Sequence, residues 1–199
     1  MSTSFATLLA NVYTLTNRPD LVNETTLAVQ NATLKCHRSD YYYKDILEVA
    51  VACDFALTNQ SIQYKTLIPQ WRSSKYIRVY DYSIPPGAPS TWLTKIEPEN
   101  VLDDYNNDKY DVYYIAGANI NIQTAAAAQY FLIGCYIYPY VDTVRFSSWI
   151  ADEHPEAIMY EAASIVFKAI GYDEQSDKFH NMHLSELQDL KQQIIAEGC

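Results

Sequence analysis

Residues 148–171 read SWIADEHPEAIMYEAASIVFKAIG, and this run decides how the chain divides. Ser147 or Ser148 can cap a turn that holds Trp149, Ile150 and Ala151. Pro155 suits the first turn of a helix, where a missing N–H costs nothing. From there Ala157, Ile158, Glu161, Ala162, Ile165, Val166 and Ala169 follow helical spacing, and Gly171 stands where a left-handed cap belongs. Trp149 is expected to staple this helix to the β lobe that precedes it.

Downstream, the spacing predicts a long helix over 174–197. Phe179, Met182, Leu187, Leu190 and Ile194 form one stripe, with Leu184 and Ile195 beside it. A stripe this thin cannot hold a helix by itself. The segment from about 185 onward is therefore expected to be loose in the free chain and to order on a partner.

Upstream, Phe5, Leu8, Leu9, Val12 and Tyr13 mark one helical face, which Ser2, Thr3 or Ser4 can cap. Thr16-Asn17-Arg18 breaks that helix. Pro19 then opens a second one, with Asp20 and Glu24 near its positive end, running to about Lys35. Its apolar face, Leu21, Ala28 and Ala32 flanked by Leu27 and Leu34, is modest.

Between the helical ends the period drops towards two. Residues 46–51 can be drawn as a short helix or a strand, and β-branched content favours the strand. Ile62, Tyr64, Thr66 and Ile68 alternate with polar neighbours, and so do Tyr76, Arg78, Tyr80 and Tyr82 with Ile77, Val79 and Asp81. Residues 110–116 and 130–140 are strand-length aromatic and apolar runs. A proline-rich loop over 84–90 and a polar turn over 103–108 separate them. The resulting fold class is α+β: a terminal α-helical bundle, residues 1–44 and 146–199, with an inserted, mostly antiparallel β lobe, residues 45–145, and a long C-terminal helix.

Composition narrows function. The chain has 199 residues, 14 basic and 24 acidic side chains and a net charge of −10, which argues against a nucleic-acid face built on clustered cations. No apolar run reaches membrane-spanning length, so no membrane insertion is expected. The opening Met1-Ser2-Thr3-Ser4 lacks the basic start and apolar stretch of a secretory signal. Cys36, Cys53, Cys135 and Cys199 are scattered and read as reduced thiols of a cytosol, most of them core filler. The 18 tyrosines against five glycines stand out. Tyrosine offers apolar area with a polar tip, the composition of contact surfaces and of aromatic cross-strand pairs.

The search for chemistry returns little. Catalytic, cofactor and metal residues are all read as none. His180 and His183 share a helix face, but two exposed histidines near a helix start is the simpler reading. Cys36 and His37, as sequence neighbours, do not face each other, and read as a buried thiol and a surface histidine. Asp103, Asp104 and Asp108 read as a solvated turn. Arg72, Lys75 and Arg78, interleaved with Trp71, Tyr76 and Tyr80, read as an interface strand in preference to a single-strand stacking surface. An enzyme would need a site assembled from dispersed residues such as Asp81, Asp142 and His154. Contact residues without a reaction centre make an assembly protein the leading class.

Three stretches carry a family resemblance: Ser148 to Gly171, residues 15–21 with 32–40 (LTNRPDL and ATLKCHRSD), and the strand Lys75 to Asp81. Together they resemble the head-to-tail adaptor, connector or gatekeeper proteins of short-tailed bacteriophages, across nearly the whole chain. The resemblance implies a closed ring of copies, dodecameric in expectation, beneath the portal protein. The ring joins the portal to the tail nozzle or tail tube, with tail fibres outside, and duplex DNA passes through its lumen without specific binding. It implies a place at the head-to-tail junction of the virion, assembled in the host bacterial cytoplasm, and brings no catalytic residue or cofactor.

Three sets of contact residues follow as expectations. Leu187, Leu190, Ile194 and Ile195 would dock on the portal. Asp152, Glu153, Asp173, Glu174 and Asp177 would face the channel or a basic portal surface, since residues 151–199 hold most of the negative charge. Trp71, Tyr76, Tyr80, Tyr136, Tyr138 and Tyr140 would form the contact surface of the lobe. The alternatives are another virion structural protein, for head completion or the tail, and a Tyr-rich module that binds sugar or peptide.

Overall fold

The computed structural model describes residues 3–52, 58–81, 90–102, 109–125 and 128–197. In chain order it holds α1 (Phe5–Thr16), α2 (Val22–Arg38), β1 (Ile46–Ala52), β2 (Asn59–Gln63), α3 (Tyr64–Leu67), β3 (Trp71–Asp81), β4 (Thr91–Trp92) and β5 (Thr94–Lys95). After these come β6 (Val112–Ala116), β7 (Asn119–Gln123), β8 (Ala128–Ile137), α4 (Trp149–Glu153), α5 (Pro155–Ala169) and α6 (Asp173–Glu197). The fold class is α+β, with the strands inserted between terminal helices. The chain divides into two compact units, Met1–Asp45 with Tyr138–Cys199, and Ile46–Ile137. The stretch 138–145, placed in the lobe on sequence, thus belongs with the helices. The loop over 84–89, the turn at Asp103, Asp104 and Asp108, Tyr82, Cys53 and Cys199 lie outside the described residues.

In the helical unit the local signals work largely as written. Ser4 caps α1 by accepting from the Thr7 N–H, and Ser148 caps α4 by accepting from the Ala151 N–H. Pro155 stands at the start of α5, and Gly171 has φ +80 after its end. Pro19 does not open α2. Arg18 and Asp20 form a two-toothed pair, both contacts 2.8 Å, that closes a turn, and the helix begins only at Val22. It also runs on to Arg38 and is buried more deeply than its apolar face suggests. Thr25, Thr33, Cys36 and His37 are all inside, and Thr33 manages this by donating its hydroxyl to the Val29 carbonyl. Small Ala28 and Ala32 share one cluster with Leu8, Val12, Ile158, Ala162 and Val166, so α2, α1 and α5 pack closely.

The expectation of a loose terminal segment is corrected here. Leu187 and Leu190 are buried members of this core, with Ile194 packed against it. A thin stripe suffices because α5 supplies the other half of the core. The exposed-histidine reading fails for His183, whereas the His180 side chain remains partly exposed. His183 is fully buried, its Nδ1 2.8 Å from the Ala157 carbonyl, and its Nε2 lies 3.4 Å from Glu161. Buried Glu161 also meets Lys35 at 2.5 Å and His180 at 3.1 Å.

This cluster makes the helical unit acid-sensitive. Burial alone would raise the Glu161 carboxyl, but the Lys35 hydrogen bond with the histidine contacts outweighs it and holds it below its ordinary value of 4.5. Burial pushes the His183 imidazole below its ordinary 6.5, against the pull of the Ala157 carbonyl. A lowered histidine stabilises the fold above 6.5, and that stability drains as acid protonates the unfolded chain first. A lowered carboxyl adds stability above 4.5 that is lost as pH falls further. Both act in one direction, so thermal unfolding should show a falling midpoint from about pH 6.5 downward. In Glu161→Gln the decline below about pH 4.5 should flatten, from a lower starting midpoint.

The β unit holds two four-stranded sheets, ordered β1-β8-β3-β4 and β2-β7-β6-β5. Among the described residues every strand pairing is antiparallel except β5 with β6. Ile77, Val79, Phe131 and Ile133 from the first sheet and Ile62, Tyr113, Ile120 and Ile122 from the second form one buried cluster. The predicted strand over 62–68 stops at Gln63. Residues 64–67 make one helical turn, closed by the Ile68 N–H on the Tyr64 carbonyl at 2.8 Å. The turn keeps both Tyr64 and Ile68 inward just before Pro69, which cannot donate to a ladder.

Candidate interaction surfaces

The groups that resemble chemistry are buried in the helical unit and tie it together. His37, read as a surface residue from sequence, is 1 % exposed. Its Nδ1 lies 2.8 Å from Asp45 Oδ1 and its Nε2 2.9 Å from Ser148 Oγ. With Nδ1 donating to Asp45, Nε2 accepts from the Ser148 hydroxyl, whose oxygen accepts in turn from the Ala151 N–H. The residue types are those of a hydrolytic triad. Here all three are buried, and the Ser148 hydroxyl is engaged as both donor and acceptor, so the arrangement clasps the end of α2 to the start of α4. Trp149, expected to reach the lobe, donates from Nε1 to the same Asp45 oxygen at 2.7 Å and packs edge-on to Tyr42 at 5.2 Å, all within the helical unit. Cys36, next to His37 in sequence, has its thiol pushed up to about 12 by burial, which leaves it protonated at neutral pH. Sequence reading missed this clasp because its members are 8 and 111 residues apart. The available signal was Ser148 at a helix cap, which says nothing of His37.

A different surface lies on the outer face of the β1-β8-β3-β4 sheet. Register places Tyr76 across from Gly134, Arg78 from Leu132 and Tyr80 from Tyr130, while Arg78 also pairs with Trp92. Since Ile77 and Val79 point inward, Tyr76, Arg78 and Tyr80 point outward. Tyr80 stacks on Tyr130 at 4.5 Å. Lys75 donates to the Tyr136 hydroxyl at 2.9 Å. Tyr76 lies over Gly134 and donates its hydroxyl to Glu48 on β1. A Cβ at Gly134 would stand 2.4 to 2.7 Å from the Tyr76 ring, so only glycine admits it. Gly134→Ala should therefore expel the ring and destabilise the β unit by about 1–3 kcal/mol, measured by denaturant unfolding with Tyr76→Ala as the reference background. An equal effect in both backgrounds would refute this account.

Three of the six expected lobe contacts, Tyr76, Tyr80 and Tyr136, thus share this sheet. Trp71 instead packs against Tyr64 and the lobe core, with ring centroids 4.5 Å apart. Tyr138 and Tyr140 fall in the helical unit, under Arg38 and Arg145 respectively, each 5.1 Å from the ring. Arg78 belongs to the interface strand read from sequence, whereas Tyr130 and Trp92 lie on other strands, and only register brings them to Tyr80 and Arg78.

The expected docking residues divide likewise. Leu187 and Leu190 are core. Ile194 and Ile195 line a groove of about 230 Å³ with Asp40, Tyr41, Tyr42 and Lys191. The end of α6 is pinned beside it. Lys44 bridges Glu153 at 2.6 Å and Glu197 at 3.0 Å, and Glu197 also accepts from the Tyr43 hydroxyl. Hydrogen bonds from Gln193, Lys44 and Tyr43 hold the Glu197 carboxyl down at about 2. Of the acidic candidates, Glu153 is paired in this way and Asp152 accepts from the Thr3 N–H. Asp173, Glu174 and Asp177 are exposed and make no ion pair among the described residues. Among those residues no helix is long and apolar enough to cross a membrane, and no group of three ligating side chains is placed to hold a metal ion. No protein-family model matches the chain, and no curated protein matches it significantly.

Proposed function

We propose that the chain is a structural head-to-tail adaptor of a tailed phage, acting as one subunit of a ring beneath the portal. The observation that carries this reading is the distribution of contact residues. Val22, Leu27, Tyr41, Trp92, Tyr172 and Ile195 are each more than half exposed, on both units, while the reactive groups are buried as internal ties. Large apolar and aromatic side chains left in water on several faces suit a protein that is covered by neighbours. The helical unit presents the groove at Ile194 and Ile195 to the portal, and the net charge of −10 keeps duplex DNA from adhering as it passes. The test is the mass and location of the assembled species. A closed ring at the neck of the particle is the expected result, and a lone monomer that turns over or stores a small molecule overturns the reading.

One observation favours a second reading, a sugar-binding module. In the β unit a pocket of about 300 Å³ is lined by the uncharged hydrogen-bonding side chains Asn59, Gln60, Ser61, Tyr114, Asn121 and Gln123, together with apolar Val101 and Ile122. Amides with one aromatic ring suit a neutral polyhydroxylated ligand. Titration with neutral oligosaccharides, followed by tyrosine fluorescence, separates the readings, because an adaptor should give no saturable change.

A further inference from the structure

Arg78 sits within the outer face of the β1-β8-β3-β4 sheet, against two rings, Tyr76 and Trp92, that meet edge-on with centroids 5.3 Å apart. Its guanidinium carbon is 3.9 Å from the Trp92 centroid and 4.9 Å from that of Tyr76. Contact with the two rings restricts the guanidinium but supplies no hydrogen-bond acceptor to its N–H groups. Nε is buried without a hydrogen-bond partner, and among the described residues no carboxylate lies within ion-pair distance of it. Lys75 adds a second cation, and Glu48, the nearby carboxylate, is engaged by the Tyr76 hydroxyl. A pre-ordered arginine beside a tryptophan that is 55 % exposed is the kind of anchor that dominates protein contacts, because little side-chain freedom remains to be lost.

The complement lies on the other unit of the same chain. Asp173, Glu174 and Asp177, at the start of α6, are exposed and carry no ion pair among the described residues, and Tyr172 before them is 52 % exposed. A chain of charge −10 repels its own copies in general, so a local cationic patch set against an acidic one favours and orients self-contact. On the strand β3, Lys75 and Arg78 supply that cationic patch.

We propose that this sheet face docks the first turn of α6 from a second copy of the chain, with Arg78 gripping a carboxylate of Asp173, Glu174 or Asp177 and Tyr172 lying beside Trp92. Two different surfaces of one polypeptide then meet head to tail, the contact type that repeats from copy to copy and closes into rings. The inference rests on the adaptor reading and names the subunit contact within it.

The test follows the Trp92 indole N–H signal of the full-length chain by NMR over a concentration series, with assignment by its loss in Trp92→Phe. The signal should move saturably. The apparent affinity should fall about tenfold or more in Arg78→Glu and in the triple variant D173K/E174K/D177K. Mixing the two variants, whose charges are exchanged, should restore it. Unchanged thermal midpoints in both variants certify the fold. An unmoved Trp92 signal, or an affinity indifferent to either variant, overturns the contact. Sedimentation of the same samples separates the two failures: assemblies that persist in both variants leave the ring standing on other surfaces, whereas the ring itself fails on the mass of the particle-bound species.

Discussion

A chain that ends before Leu187 should lose the cooperative unfolding of its helical unit. Leu190 is fully buried and Leu187 nearly so, both in the cluster that holds Leu8, Ala28, Val29 and Ile158. Leu190→Ala alone should cost about 2–5 kcal/mol, the range for a core leucine whose cavity cannot collapse. Removing both leucines together with Ile194 and the Lys44–Glu197 tie approaches the whole stability of a domain this size, about 5–15 kcal/mol. Differential scanning calorimetry and limited proteolysis read the result. The truncated chain should be cleaved throughout residues 3–45 under conditions that spare the intact one. A truncated protein with an unchanged midpoint would restore the idea of a dispensable docking tail. Ile195→Asp tests the groove without touching the core, because that side chain is 68 % exposed, and its midpoint should stay within about 0.5 kcal/mol of the parent.

The second large effect is at Asp45. One of its oxygens accepts from both His37 and Trp149, and the residue is 4 % exposed. Asp45→Ala leaves two buried ring N–H groups without an acceptor and should cost about 3–5 kcal/mol. Asp45→Asn keeps a carbonyl oxygen at the junction and should recover a substantial part of that loss. Chemical denaturation of the two variants decides the matter. Equal losses would mean that the side chain acts through packing and not through its acceptor atoms. Trp149→Ala in the Asp45→Ala background should then cost less than in the parent, since the two share one interaction.

Local signals explain much of the architecture. Ser4, Ser148, Pro155 and Gly171 act at the helix ends for reasons internal to one turn of chain: a hydroxyl near an orphan N–H, a ring with no N–H to lose, a residue free of Cβ strain. The same holds for the alternation over Tyr76 to Tyr80, which sets one face of β3 inward. Where the sequence misleads, a side-chain partner that no periodicity shows has intervened. Pro19 is displaced from the helix by Arg18 and Asp20, a pair two residues apart whose geometry no propensity encodes. His37 and His183 look like surface residues until Asp45, Ser148, Ala157 and Glu161 supply partners that make their burial tolerable.

The contact surfaces divide along the same line. That the chain is rich in tyrosine and acidic overall is a matter of counting. That Tyr76, Arg78 and Trp92 form one cluster is a matter of register between β3 and β4, and Tyr76 can cross the sheet only because Gly134 on β8 lacks a side chain.

Composition and periodicity alone settled that this polypeptide places helices at both ends and strands between, because each element answers to the spacing of its own neighbours. Tertiary structure alone decided which polar groups are interior and which leucines are free to meet a partner. Burial depends on atoms that arrive from more than a hundred residues away, and no local pattern carries that information.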